Sequence, residues 1–141
     1  MRLIVWIIII GLLMVGSREA LADEKSSNGH PRRITMHLQE YRFEPAQITL
    51  KAGEEVELTL INDGKAMHEF ITEALQTLSV TVVINGIVTE TLGVAELEIP
   101  AGAQAMLRFT PETPGEFLIA CRARMPKDHF KEGMAGRLLI R

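Results

Sequence analysis

The sequence predicts an all-β domain, either a β-sandwich or a β-barrel, on three observations. Apolar and polar residues alternate with a period of two in several short segments, as they do in strands that bury one face. Glycine and proline separate these segments at the spacing of about 8–12 residues that is typical of sandwiches and barrels. Beyond residue 22 no segment keeps an apolar period of 3.6 for three turns, and the best candidate helix, residues 69–78, is short.

The predicted strands follow one another between turn residues. They are residues 34–38, 47–50, 56–62, 78–84, 87–94, 95–100, 105–110, 115–121 and 136–141. Asn85-Gly86 stands between two of them and is the dipeptide that best fits a type I′ hairpin turn.

The first 22 residues have the pattern of a secretory signal peptide. Arg2 precedes an apolar run at residues 3–15, and "ALA" at residues 20–22 forms a cleavage site. The run of 13 residues is shorter than the roughly 20 that span a bilayer, although an uncleaved membrane anchor is the alternative. We therefore expect a periplasmic protein, with a flexible arm at residues 23–33 and one domain at residues 34–141.

The net charge and the number of cysteines limit which partners and which stabilising bonds this protein can have. Without the leader the chain has 13 basic and 17 acidic side chains, a net charge of −4, and no basic run stands out. Nucleic acid is therefore an unexpected partner, and we expect no membrane contact after cleavage. Cys121 is the single cysteine, so an internal disulfide is excluded and the fold depends on its core or on a metal.

Four side chains form a donor set that suits copper: His68, Cys121, His129 and Met134. Two imidazoles and a thiolate with a weak axial thioether are the ligands of blue-copper electron-transfer sites. Cys121 ends a predicted strand, and His129 and Met134 lie in the loop before the last strand, so the three can converge at one end of a sandwich. His68 follows a different strand and can approach from its end.

The segments "YRFEPAQITLKAGEEVELTLIND", "HEF", "PGEFLIAC" and "HFKEGMAGRLLIR" resemble the cupredoxin family over most of residues 34–141. The resemblance implies a Greek-key β-sandwich with one type 1-like copper ion, held by His68, Cys121, His129 and Met134. It further implies that Asn62 braces the loops near the site. It also implies that His129 lies at an exposed apolar rim and is the exit path for electrons.

One departure from the family concerns the loop between Cys121 and His129. Seven residues, "RARMPKD", intervene where the family usually has two to about five. We expect a mononuclear site whose colour is blue, green or red, and zinc suits the same thiolate and imidazoles. Met67 and Met125 are interpreted as packing or shielding residues and not as ligands.

Two functions fit these residues. The first is a soluble carrier that shuttles single electrons between redox proteins docking near the copper site. The alternative is a periplasmic copper-binding protein for resistance, buffering or delivery, and a third possibility is a metal-free module that binds proteins. No enzyme motif such as G-x-S-x-G or H-E-x-x-H is present, so we expect a protein that is not an enzyme.

Overall fold

The fold was analysed in a computed structural model, which describes residues 29–141. The predicted signal peptide and residues 23–28 of the predicted arm lie outside the described residues. Its strands are β1 (Arg32–Gln39), β2 (Arg42–Glu44), β3 (Gln47–Leu50), β4 (Val56–Asn62), β5 (His68–Phe70), β6 (Ser79–Ile84), β7 (Ile87–Leu92), β8 (Leu97–Ile99), β9 (Gln104–Phe109), β10 (Gly115–Ala120) and β11 (Ala135–Ile140). Within residues 29–141 no helix has the length and apolar character needed to cross a membrane.

The strands form two layers. One is a six-stranded sheet with the order β2-β1-β4-β9-β6-β7, and the other contains a three-stranded sheet, β10-β11-β3, and the pair β5-β8. A bridge between Ile71 and Ala120 joins β5 to β10, so the second layer continues from β8 to β3. The predicted all-β sandwich is confirmed.

The core between the layers follows from the alternation in the sequence. Every second residue is buried along the whole of β4 and β9 and in the second half of β1. The largest side chains of this core include Met36, Leu38, Leu60, Phe70, Leu107, Ile119 and Met134. Each fully buried side chain of this size contributes about 1.5–3 kcal/mol, so the sheets hold the ends of their strands in fixed positions.

Two local predictions differ from the structure. Residues 69–78 do not form the candidate helix, because His68–Phe70 pairs with Leu97–Ile99 as β5 and β8 and only Glu73–Leu75 makes a 3-10 turn. The strand β1 begins at Arg32, two residues before the predicted start of the domain. The predicted hairpin between β6 and β7 is present, and both residues of its turn have positive φ, 52° at Asn85 and 78° at Gly86.

Candidate metal centre

The joint between β5 and β10 brings His68 close to Cys121. Ile71 and Ala120 exchange two backbone hydrogen bonds of 3.1 and 3.0 Å, just beyond β5 and at the end of β10. Because these two segments run antiparallel, the residues before Ile71 face the residues after Ala120. The N–H of Glu69 accordingly points at Cys121 Sγ, at 3.3 Å.

The loop after Cys121 folds back on itself and returns His129 and Met134 to the cysteine. His129 N donates to Ala123 O at 2.9 Å, and Met134 N donates to His129 O at 3.0 Å. Cys121 N then donates to Met134 O at 3.3 Å. Gly133 has a φ of 106°, a left-handed conformation that glycine adopts without strain, and it makes the last turn before β11 possible.

Three donor atoms meet at one point. His68 Nδ1 and His129 Nδ1 are 3.1 Å apart, and Cys121 Sγ lies 3.3 Å from His129 Nδ1 and 4.0 Å from His68 Nδ1. Around one three-coordinate ion these separations are about 3.5 Å between nitrogens and about 3.7 Å from nitrogen to sulfur, from usual metal–ligand lengths and trigonal angles. The observed triangle is close to that size, and all three residues have no exposed surface.

Met134, the fourth predicted ligand, contacts two residues of this triangle through its backbone. Its side chain has no exposed surface, and its backbone is hydrogen bonded to both Cys121 and His129. The structure therefore brings His68, Cys121 and His129 together and places Met134 next to them. Metal ligation by the four residues remains a prediction.

The environment of His129 differs from the exposed rim that we predicted. Its ring is fully buried, Nε2 lies 3.0 Å from Met125 O, and the ring of Tyr41 packs 4.9 Å from its own. The prediction that His129 is exposed is therefore wrong, because the carbonyl of Met125 in the longer loop lies against the imidazole. A role of His129 as the exit path for electrons stays a prediction. Since a carbonyl oxygen only accepts, Nε2 donates to Met125 O, and Nδ1 is the ring nitrogen that faces the other donors.

His68 is held in the neutral form. Burial lowers the pKa of His68, the nearby His129 lowers it further, and Glu40 opposes both. Nε2 of His68 has no hydrogen-bond partner in the described residues and lies 3.7 Å from Glu40 Oε1. A neutral imidazole is the form that binds a metal ion.

Burial and hydrogen bonding act in opposite directions on Cys121. Burial raises the pKa of the Cys121 thiol, and the backbone N–H groups of Glu69 and Ala123 oppose that rise. Such N–H groups favour the thiolate, and hydrogen bonding around a cysteine sulfur tunes the redox potential of copper sites. A metal ion must displace the thiol proton to bind here.

Two carboxylates at the site carry roles that sequence reasoning did not assign. Glu40 accepts hydrogen bonds from Lys65 N and Ala66 N, at 2.5 and 2.8 Å, and chiefly the Ala66 bond lowers the pKa of Glu40. Glu69 accepts from Arg122 N at 2.9 Å, and burial raises the pKa of Glu69. Adjacency to His68 could have indicated Glu69, whereas nothing in the sequence links Glu40 to the site.

Asn62 braces the site as the resemblance implied. It is fully buried at the end of β4, and its amide nitrogen donates to Ala66 O at 2.9 Å and to Ile99 O at 2.7 Å. Its amide oxygen accepts from Gly64 N at 2.9 Å. One side chain thus ties the turn before His68 to the end of β8.

The donor set fits a copper ion. Thiolate and thioether are soft ligands that select Cu(I), and imidazole suits Cu(II) as well. A buried triangle of one sulfur and two nitrogens, in a site that also contains the buried residue Met134, therefore accommodates both oxidation states. Met134 is the residue that distinguishes this set from one suited equally to zinc.

Comparisons with known protein sequences identify the family of this chain. The sequence profile of the cupredoxin-like domain matches residues 5–133. The copper-resistant cuproprotein CopI of Rubrivivax gelatinosus is 28% identical over 108 residues, which cover 71% of this chain and 60% of that protein. CopI of Pseudomonas aeruginosa is 35% identical over 71 residues, 45% of this chain and 39% of that protein. The chain thus spans less than two thirds of the length of both relatives.

A solved structure supports the fold. Dithionite-reduced auracyanin from Roseiflexus castenholzii superposes with a TM-score of 0.54 and 17% identity. The match covers 80% of this chain and 99% of auracyanin. The β-sandwich of this chain is therefore a fold that a known protein shares.

Proposed function

The chain belongs to the cupredoxin-like domain family, and from this premise we propose that it binds one copper ion and acts in copper resistance. In this proposal Cys121 supplies a thiolate, His68 and His129 supply neutral imidazoles, and Met134 supplies a weak axial thioether. When bound, copper would provide a centre that exists as Cu(I) or Cu(II).

The observation that carries the proposal is the convergence of three fully buried donor atoms within 4.0 Å of one another. Burying imidazole and thiol groups is costly unless they are paired. The hydrogen bonds from Glu69 N to Cys121 and from His129 to Met125 O orient the donors towards each other. Metal binding accounts for this orientation, since outer hydrogen bonds fix the direction of metal ligands in proteins.

Copper resistance is favoured over electron shuttling by the names of the relatives. Both curated relatives are described as copper-resistant cuproproteins. We place the protein in the periplasm, in line with the signal-peptide pattern of residues 1–22. There it would take up Cu(I) and hold it away from other proteins, with no catalytic step, because four donors leave no open coordination position.

Electron transfer is the second candidate function. The Cys/His/His/Met set is that of copper sites that carry single electrons, and a redox partner would dock over the buried site. The burial of both His68 and His129 argues against rapid electron exchange with a redox partner, because neither imidazole ring reaches the surface. A carrier should show a reversible Cu(II)/Cu(I) couple, whereas a protein of copper resistance should prefer Cu(I).

The test is optical and paramagnetic-resonance spectroscopy of the Cu(II)-loaded full chain, with Cys121→Ser beside it. We expect a sulfur-to-copper charge-transfer band in the wild type that is lost in Cys121→Ser. The control is Met106→Leu, at a half-buried position on β9 away from the donors. Absence of the band in the wild type would contradict the thiolate–copper bond.

A competition titration separates the two candidate functions. The wild type is titrated with a Cu(I)-specific chelator and, in parallel, its Cu(II)/Cu(I) couple is recorded by voltammetry. Strong preference for Cu(I) with poor reversibility supports resistance. A reversible couple with retention of both oxidation states supports electron transfer.

A further inference from the structure

A groove of about 480 Å³ lies on the surface next to the donor triangle. Its two sides are residues 65–69 and residues 122–126, the segments that carry or adjoin His68 and Cys121. Met67 and Met125 both line it, so we call it the methionine groove.

The two methionines of the groove are exposed. Met67 is 38% exposed and Met125 is 79% exposed. Methionine is among the residues most often fully buried, and here the predicted packing role does not apply to Met125. The structure instead leaves both methionines exposed in the lining of one groove.

Residues that line the groove also contact the buried donors. Glu69 and Ala123 line the groove, and their backbone N–H groups are the ones directed at Cys121 Sγ. Met125 lines it too, and its carbonyl accepts from His129 Nε2. Since the donors have no exposed surface, an ion that reaches them from this side must pass between these residues.

We propose that Met67 and Met125 form an entry site that takes Cu(I) at the surface and passes it to the buried donors. Thioethers are soft ligands that bind Cu(I) in preference to harder ions. The transfer is a ligand exchange without a change of oxidation state: the bonds from copper to the two thioethers break, a bond to Cys121 Sγ forms, and the thiol proton leaves to water. This inference rests on the proposed copper function.

The charges around the groove indicate how copper arrives. Lys65, Arg122 and Arg124 line it and are exposed. The one carboxylate of the lining, Glu69, is buried and accepts a hydrogen bond from Arg122 N, so the exposed charges are cationic and would repel a free cation. They attract an anionic carrier, which raises the encounter rate. The entry site therefore suits Cu(I) delivered as a complex with negatively charged ligands.

The first test isolates the groove from the buried site. The full chain with Cys121→Ser is labelled with ¹³C at the methionine methyl groups and titrated with Ag(I), a stable substitute for Cu(I). We expect the Met67 and Met125 methyl resonances to shift while those of Met36 and Met106 stay in place. Shifts at Met134 alone, or no shift at all, would overturn the proposal.

The second test measures delivery to the wild-type site. Cu(I) is supplied as its anionic bicinchoninate complex, and its transfer to the protein is followed by the loss of the chelate colour. Met67→Leu/Met125→Leu should load more slowly than the wild type but reach the same final stoichiometry. Met106→Leu, a matched change outside the groove, should load at the wild-type rate.

The outcomes distinguish the entry site from the copper function itself. Equal loading rates in the double variant and the wild type would reject the entry site and leave the copper function standing. A wild type that takes no copper would reject the copper function, whereas the Ag(I) shifts in Cys121→Ser judge the groove separately. The single variants Met67→Leu and Met125→Leu show whether one or both thioethers are needed.

Discussion

Nδ1 of His68 and Nδ1 of His129 lie 3.1 Å apart in the core, although 61 positions separate the two residues in the chain. Two nitrogen lone pairs at this distance repel one another unless a proton or a metal ion lies between them. The fold brings them together by pairing β5 with β8 and by folding the loop before β11 onto Cys121. A bound ion should therefore stabilise the whole domain.

Copper should raise the thermal stability of the wild type, because a ligand that binds only the folded state stabilises it. The expected gain is about 4 kcal/mol when free copper exceeds Kd a thousandfold. His129→Ala should abolish the shift in Tm with Cu(I). His37→Ala, a change at a half-exposed histidine on β1 that pairs with Asp63, should keep it, and equal shifts in all three proteins would contradict ligation by His129.

Gly64→Ala should weaken copper binding. A Cβ at this position would lie 2.6 Å from Glu40 Oε1 and 2.7 Å from His68 Nε2, closer than real Cβ atoms approach. The clash should displace His68 from the triangle and cost about 1–3 kcal/mol of stability. Chelator competition measures the affinity, and Gly115→Ala, which meets only the Phe117 ring, should leave it unchanged.

Asn62→Ala should destabilise the protein in the absence of copper. The change leaves Ala66 O and Ile99 O without the amide donor that they share. We expect a loss of about 2–4 kcal/mol in the free energy of unfolding by urea, since each buried group left unpaired costs about 1–3 kcal/mol. Gln104→Ala, at an exposed position on β9, serves as control, and a similar small loss in both would show that Asn62 does not brace the site.

Glu57 should support stability at neutral pH and lose that effect in acid. Arg108 Nη2 lies 2.8 Å from Glu57 Oε2, and this bond chiefly lowers the pKa of Glu57 below its ordinary value of 4.5. A carboxylate whose pKa is lower in the folded than in the unfolded protein stabilises the fold at pH values above its unfolded-state pKa. This contribution is lost as the pH falls through the folded-state pKa.

The measurement is the free energy of unfolding of the wild type and Glu57→Gln between neutral and acid pH. Their difference should be constant near pH 7 and shrink below about pH 4.5. Glu116→Gln removes an exposed ion pair with Arg137 and should have little effect at any pH. A difference between wild type and Glu57→Gln that does not change with pH would reject the role of the charge.

Much of the fold could be predicted from the sequence because it depends on local patterns. The alternation in residues 56–62 determines which face of β4 is buried, and Asn85-Gly86 determines the turn between β6 and β7. The segment 69–78 shows the limit of this reasoning. Its local pattern allows a helix, but pairing with Leu97–Ile99, distant in the chain, makes its start a strand.

The sequence by itself determined the chemistry of the candidate site: one thiol, two imidazoles and a thioether near the ends of predicted strands. Only the tertiary structure decided how far the donor residues are buried and which charged groups surround them. Burial and charge environment depend on contacts between segments that are far apart in the chain. Met125 covers His129, Glu40 approaches His68, and the groove opens between residues 65–69 and 122–126. No pattern within either segment encodes these contacts, which arise when the two layers of the sandwich pack together.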